Sequence, residues 1–167
     1  NGFYQEGLIP EMDGRVLPVI SNIIVTRPLT NEELSLHNFN TYAPIANSKN
    51  LLYYYRKLPD NRILFGTRGD FEGSDQSNQN RANDMEKFLK NIFPKWSKVT
   101  IDYNWRGLIA LSQKLTPSIG KIDNEEIYYG FGYNGVGVSA APWTGKQLSK
   151  LVFSSNSKEL DISKIYK

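Results

Sequence analysis

Only two stretches of this sequence repeat apolar residues at helical spacing, and short β-branched or aromatic runs occupy much of the remainder. The first stretch sets Met85, Phe88, Leu89, Ile92 and Phe93 on one face and halts at Pro94, a residue that cannot continue a helix. The second runs through Val138, Ala141, Leu148, Leu151 and Val152, with Pro142 tolerable only near its first turn. Helices are therefore expected near 80–93 and 137–153, and strands over much of 18–26, 51–57, 62–67, 98–111 and 126–131. The run from Val16 to Thr26 reads as one or two strand segments broken near Pro18. Leu51–Lys57 and Arg62–Thr67 flank the turn residues Pro59, Asp60 and Asn61, which makes a hairpin. Thr30 with Glu33 forms a capping-box pattern for a short helix. Gly69 to Asn80 is polar and reads as a loop, and Lys98 to Leu111 contains two strand-like runs, around 99–103 and 107–111. Residues 1–15 read as a loop or trailing end, and the polar tail after Ser154 as peripheral. The expected fold class is α+β, a largely antiparallel sheet with flanking helices.

Composition narrows the partners. A 40% hydrophobic share supports a real core in a chain of 167 residues. The net charge is only +3 and no Lys/Arg-rich block occurs, so neither nucleic acid nor a membrane surface is an expected partner. No apolar run approaches the roughly 20 residues of a membrane helix. The chain has no Cys, which removes disulfides and thiolate metal sites and fits a reducing compartment, so a cytoplasmic location is expected. His37 stands alone in a loop-like segment and reads as a structural or surface residue, and no metal site is expected.

Chemistry concentrates late, at Gly132–Ser139 (GYNGVGVS), between the apolar run Ile127–Tyr129 and the second helical pattern. A strand, a glycine turn and a helix together make an anion site, because free backbone N–H groups and the positive helix end converge there. Three readings compete. Gly130, Gly132 and Gly135 spell the spacing of a dinucleotide-binding turn, which also needs a second strand and an acidic residue about 20 positions on; Glu159 is available, but almost no chain follows it. Tyr129–Val136 echoes an RNA-recognition signature, yet lacks its leading Lys or Arg and precedes a helix rather than a hairpin. A turn that only packs a helix on a sheet is the third.

Four blocks in order carry a further reading: Pro18 through Thr30, Tyr54 through Gly69, Trp105–Ile109 followed by Pro117–Gly120, and Tyr128 through Gly137. Across residues 16 to about 153 the chain resembles the C-terminal half of the FAD-dependent amine and amino-acid oxidoreductases. That superfamily includes D-amino-acid oxidase, glycine oxidase and sarcosine oxidase, and the resemblance is closest to its gamma-glutamylputrescine oxidoreductase branch. It implies a substrate-domain segment over residues 1–110 and the C-terminal part of the FAD-binding domain over 111–167. Nothing in the chain matches the family's N-terminal dinucleotide-binding unit, so a fragment is expected, inactive alone and unable to retain FAD, whose parent is an enzyme.

The resemblance also implies roles. Gly132, Tyr133, Asn134, Gly135, Val136, Gly137 and Val138 would approach the flavin ring, with the backbone of 135–138 as donors. The helix terminus would stabilise negative charge that develops near N1 and O2 of the reduced ring. Tyr53, Tyr55, Trp105 and Ile109 are substrate-pocket candidates, Tyr53 and Tyr55 sharing one strand face. No catalytic side chain is assigned, since the flavin performs the hydride step. Ile109 stands where glycine oxidase-type members place an arginine for the substrate carboxylate, and Leu64 near where sarcosine oxidase-type members place a lysine. The first departure weakens an amino-acid substrate and favours an amine, or a carboxylate held elsewhere, because Ile cannot form a carboxylate clamp. The expected function is oxidation of a C–N bond in a small amine or amino acid. The alternative is a non-catalytic assembly module that pairs with a separate nucleotide-binding chain. Self-association through the face left by the missing half is a further expectation.

Overall fold

The computed structural model describes residues 7–10, 13–49, 52–123 and 125–153, and for Gly69 and Asp70 the backbone only. The polar tail, Glu159 and Leu51 lie outside the described residues, as do parts of the 1–15 segment. The elements are β1 (Val16–Thr26), α1 (Asn31–Ser35), β2 (Ile45–Ala46), β3 (Tyr53–Lys57), β4 (Ile63–Asp70), α2 (Asp75–Ile92), β5 (Ile101–Ser112), β6 (Ser118–Lys121), β7 (Tyr128–Phe131) and α3 (Gly137–Phe153). The α+β class holds: one sheet has the order β2-β3-β4-β1-β5, a second pairs β6 with β7, and every strand pair with a defined register is antiparallel.

The chain divides into two compact units, one formed by residues 20–107 and the other by residues 1–19 together with 108–167. In the first, β3 and β4 form the expected hairpin, with Tyr55 opposite Phe65 and Lys57 opposite Ile63. Asn61 takes a positive φ of 64° in its turn, a conformation Asn tolerates better than most residues. The core gathers Ile24, Ile63 and Phe65 from the sheet, Ala82, Met85 and Leu89 from α2, and Phe93, Trp96 and Val99 beyond it. The capping box is present: Glu33 N–H donates to the Thr30 hydroxyl at 3.2 Å, and Thr30 N–H donates to the Glu33 carboxylate at 3.0 Å. His37 is structural, its Nε2 accepting from Lys95 N–H at 3.1 Å, with edge contacts to Phe93 and Trp96.

Several elements differ from the sequence expectation: β2 and β6 are not part of it, and β4 runs on to Asp70, into the expected loop. α2 begins at Asp75, so residues 75–80 are helical rather than loop. Ser74 makes that start, its hydroxyl accepting from Ser77 N–H at 3.1 Å, and the first turn is too polar to show periodicity. The two runs expected within 98–111 are one strand, β5. A ladder depends on backbone groups, so the polar middle does not interrupt it. Asp102 pairs with Arg62 at 2.6 Å and Arg106 with Asp75 at 3.0 Å. β1 likewise runs unbroken through Pro18, and its irregularity falls between Ile20 and Ser21.

In the second unit β6 pairs with β7, Ser118 opposite Phe131 and Lys121 opposite Tyr128. Ile119 and Leu151 pack with Tyr128, Trp143 and Leu148 between this ribbon and α3. Contact is close at Gly130, where a Cβ would lie 2.7 Å from Thr144 Cγ2. That approach sets α3 against β7 and leads the chain directly into the glycine turn.

Candidate functional site: the turn into α3

Asn134 and Gly135 build the turn. Their φ angles are +55° and +80°, and Val136 N–H donates to Tyr133 O at 2.9 Å. Two central residues at positive φ are what a type I′ turn requires, and Asn-Gly is its favoured dipeptide. Gly132 precedes them at φ +73°, with Ser112 Cβ only 3.1 Å from where its own Cβ would stand. A side chain at Gly132 or Gly135 would be strained by backbone alone.

Asn134 points inward. It is 8% exposed, its N–H donates to Ala110 O at 3.0 Å, and its Oδ1 accepts from Ser112 N–H at 2.8 Å. Its Nδ2 donates to Gly132 O at 2.6 Å, with Ser112 Oγ at 3.2 Å. The turn is thus tied to the end of β5.

α3 then begins with open donors. The N–H groups of Gly135, Gly137 and Val138 make no hydrogen bond among the described residues. Val136 N–H is not available, being used within the turn, so the open set is one smaller than the expected 135–138 run. Ser139 N–H is also taken, by Val136 O at 3.1 Å. The first turn of α3 contains no acidic residue, and Val136 and Val138 are exposed. Three unpaired donors at the positive end of a helix suit carbonyl or anionic acceptor atoms.

The pocket candidates separate. Tyr53 stacks on Phe88 at 4.1 Å between ring centroids, and Tyr55 meets Phe65 and Phe93, so both rings pack against the core below α2. They share a face as expected. Tyr54 lies on the other face, over Gly66, its hydroxyl 3.4 Å from Ser21 Oγ. Trp105 is 47% exposed on β5. Tyr53, Tyr55 and Trp105 belong to the unit of residues 20–107, whereas Ile109, which is buried, and the glycine turn belong to the other. A cavity of about 330 Å³ between α2 and β5, lined by Asn83, Glu86, Asp102 and Asn104 among others, touches none of the candidates. Ser112 and Thr144 carry the turn and the helix packing, and neither was singled out in the sequence, since a lone hydroxyl residue gives no signal. Among the described residues no group of three or more His, Asp or Glu is placed to hold a metal, and no helix is long and apolar enough to cross a membrane.

The family described as FAD dependent oxidoreductase matches residues 1–151. The chain belongs to that family. An oxidoreductase of Haemophilus influenzae called OrdL is 31% identical over 144 residues, covering 86% of this chain and 32% of that protein. Gamma-glutamylputrescine oxidoreductase of Escherichia coli is 31% identical over 152 residues, covering 91% of this chain and 35% of that protein. The chain therefore spans about a third of the length of these relatives. Among solved structures, glycine oxidase of Bacillus cereus superposes with a TM-score of 0.65 at 16% identity, over 89% of this chain and 39% of that one. L-proline dehydrogenase of P. horikoshii gives 0.65 at 18% identity, over 88% and 38%. The expected resemblance, to the flavin-dependent oxidoreductases and their gamma-glutamylputrescine branch, is borne out.

Proposed function

We propose that this FAD-dependent oxidoreductase chain supplies the ring-end flavin contact and part of the substrate site of an enzyme that oxidises a C–N bond in a small amine. In this reading residues 111–167 belong to the flavin-binding domain, and the segment up to residue 110 supplies the substrate part. The observation that carries it is the open donor set of Gly135, Gly137 and Val138 at the start of α3. Those residues fit a flavin ring: the donors are backbone, no acid competes, and glycines keep the approach free of side chains. The N–H groups of Gly135, Gly137 and Val138 would hold the ring end of FAD, which would supply the hydride acceptor for oxidation of the C–N bond to a hydrolysable imine. This chain's contribution is to hold the ring end and to orient the amine beside it. Trp105 is the exposed ring among the four candidates, while Tyr53 and Tyr55 are committed to core packing. The apolar Ile109 favours an amine over a free amino acid. No observation favours a non-catalytic assembly module.

One exposed helix terminus contributes roughly 0.3–1 kcal/mol, against the roughly 8 kcal/mol of micromolar binding. The 167-residue chain alone should therefore stay colourless on mixing with FAD. Joined to the dinucleotide-binding unit of a relative, it should bind FAD, and a gamma-glutamylated diamine or another small amine should bleach the flavin faster than any free amino acid. Stoichiometric FAD on the chain alone, or no bleaching by any amine, would overturn the assignment. A cytoplasmic location belongs to the same reading, and fractionation of cells that express the chain tests it. Ile127, Val136, Val138, Val152 and Phe153 are exposed apolar side chains in one unit, so self-association of the chain alone is proposed as well. Sedimentation velocity should find a dimer or larger species; a monodisperse monomer rejects it.

A further inference from the structure

The geometry points to Asn134 as a positioning residue: its side chain takes the place of a neighbouring strand along the end of β5 and thereby fixes where the open N–H groups of α3 point. This rests on the flavin reading above. Ala110 O and Ser112 N–H lie two residues apart and face the same side of an edge strand. Asn134 meets both, the first with its own N–H at 3.0 Å and the second with Oδ1 at 2.8 Å. These are the two bonds that a residue of a paired strand would make, with a side-chain carbonyl standing in for a backbone one.

The second half of the amide holds the turn itself, through Nδ2 to Gly132 O at 2.6 Å. One side chain therefore joins the strand, the turn and, one residue later, the Gly135 donor. Asn meets all the requirements together: it accepts φ +55°, it offers a donor and an acceptor, and it is short enough to remain 8% exposed. Asp would keep the acceptor but lose the donor to Gly132 O. Gly would keep the backbone and lose both side-chain bonds. Since α3 begins only three residues after Asn134, the aim of its Gly137 and Val138 donors follows from this attachment.

The test compares Asn134→Gly with the unaltered protein in two preparations. In the 167-residue chain, amide exchange at Ser112 should rise about tenfold or more in the variant, because its acceptor is gone. In the FAD-loaded protein, joined to a dinucleotide-binding unit, the flavin dissociation constant should rise about tenfold and the reduction potential should become more negative. Ser112→Ala, which spares the Ser112 N–H bond but removes the Oγ contacts, should shift both in the same direction by less. It serves as the second variant if Asn134→Gly does not fold. Faster Ser112 exchange with unchanged flavin affinity and potential would make Asn134 purely structural and overturn the inference. Unchanged Ser112 exchange would show that the attachment itself is absent. An unaltered protein that takes no flavin in the joined form would instead bring down the functional reading, and with it this role.

Discussion

Two glycines near the turn have opposite tolerances. At Gly130 a Cβ would lie 2.7 Å from Thr144 Cγ2, a contact that requires the buried Thr144 side chain or the strand to shift. Gly130→Ala should lower stability by about 1–3 kcal/mol in urea denaturation. At Gly137 a Cβ would lie 3.5 Å from Tyr133 Cδ2, an ordinary contact, and φ is not positive. Gly137→Ala should leave the fold within about 0.5 kcal/mol of the unaltered protein, so any loss of flavin affinity in the joined form reports on the ring-end contact. Glu33 gives a pH prediction. The Arg27 side chain, and then Thr30 N–H, hold its carboxyl down from 4.5 to about 2. The folded state therefore binds fewer protons than the unfolded state between those values. Stability from this group is present above pH 4.5 and is lost as the pH falls toward 2. Because the pair is partly exposed, about 1 kcal/mol is at stake. Glu33→Gln should flatten that part of a stability-versus-pH curve, and a curve unchanged by the substitution counts against the assignment.

Elements were legible where side-chain pattern and backbone agreed. α1 followed from Thr30 and Glu33, the β3–β4 hairpin from its turn residues, and α3 from its apolar spacing. β2 escaped because two residues carry no period, and β6 because Ser118, Gly120 and Lys121 give no alternation to read. The three consecutive tyrosines of β3 fixed which residues share a face but not which face meets the core, since both are aromatic; α2 decides it by placing Phe88 on Tyr53. The glycine turn was legible as a turn, whereas the inward orientation of Asn134 was not, because it depends on Ser112, 22 residues away. The α2 interface carries its own prediction. Met85 is fully buried in that core, so Met85→Ala should cost about 2–5 kcal/mol by chemical denaturation. A loss below 1 kcal/mol would mean that α2 does not close over the sheet.

At the scale of the molecule, residues 20–107 hold every member of the largest core, from Ile24 to Ile101. That run expressed by itself should unfold as one cooperative transition in a thermal melt. A gradual, non-cooperative loss of signal would show that the unit depends on residues beyond it. The run is also uninterrupted in sequence and is entered along β1 and left along β5, which are hydrogen-bonded neighbours. A genetic exchange between relatives would thus need only two crossovers, near codons 19 and 108, to replace the whole block. On the functional reading above, Trp105 and the rest of that block are then heritable as a cassette, free to diverge while Ile109 and the flavin-facing turn descend unchanged.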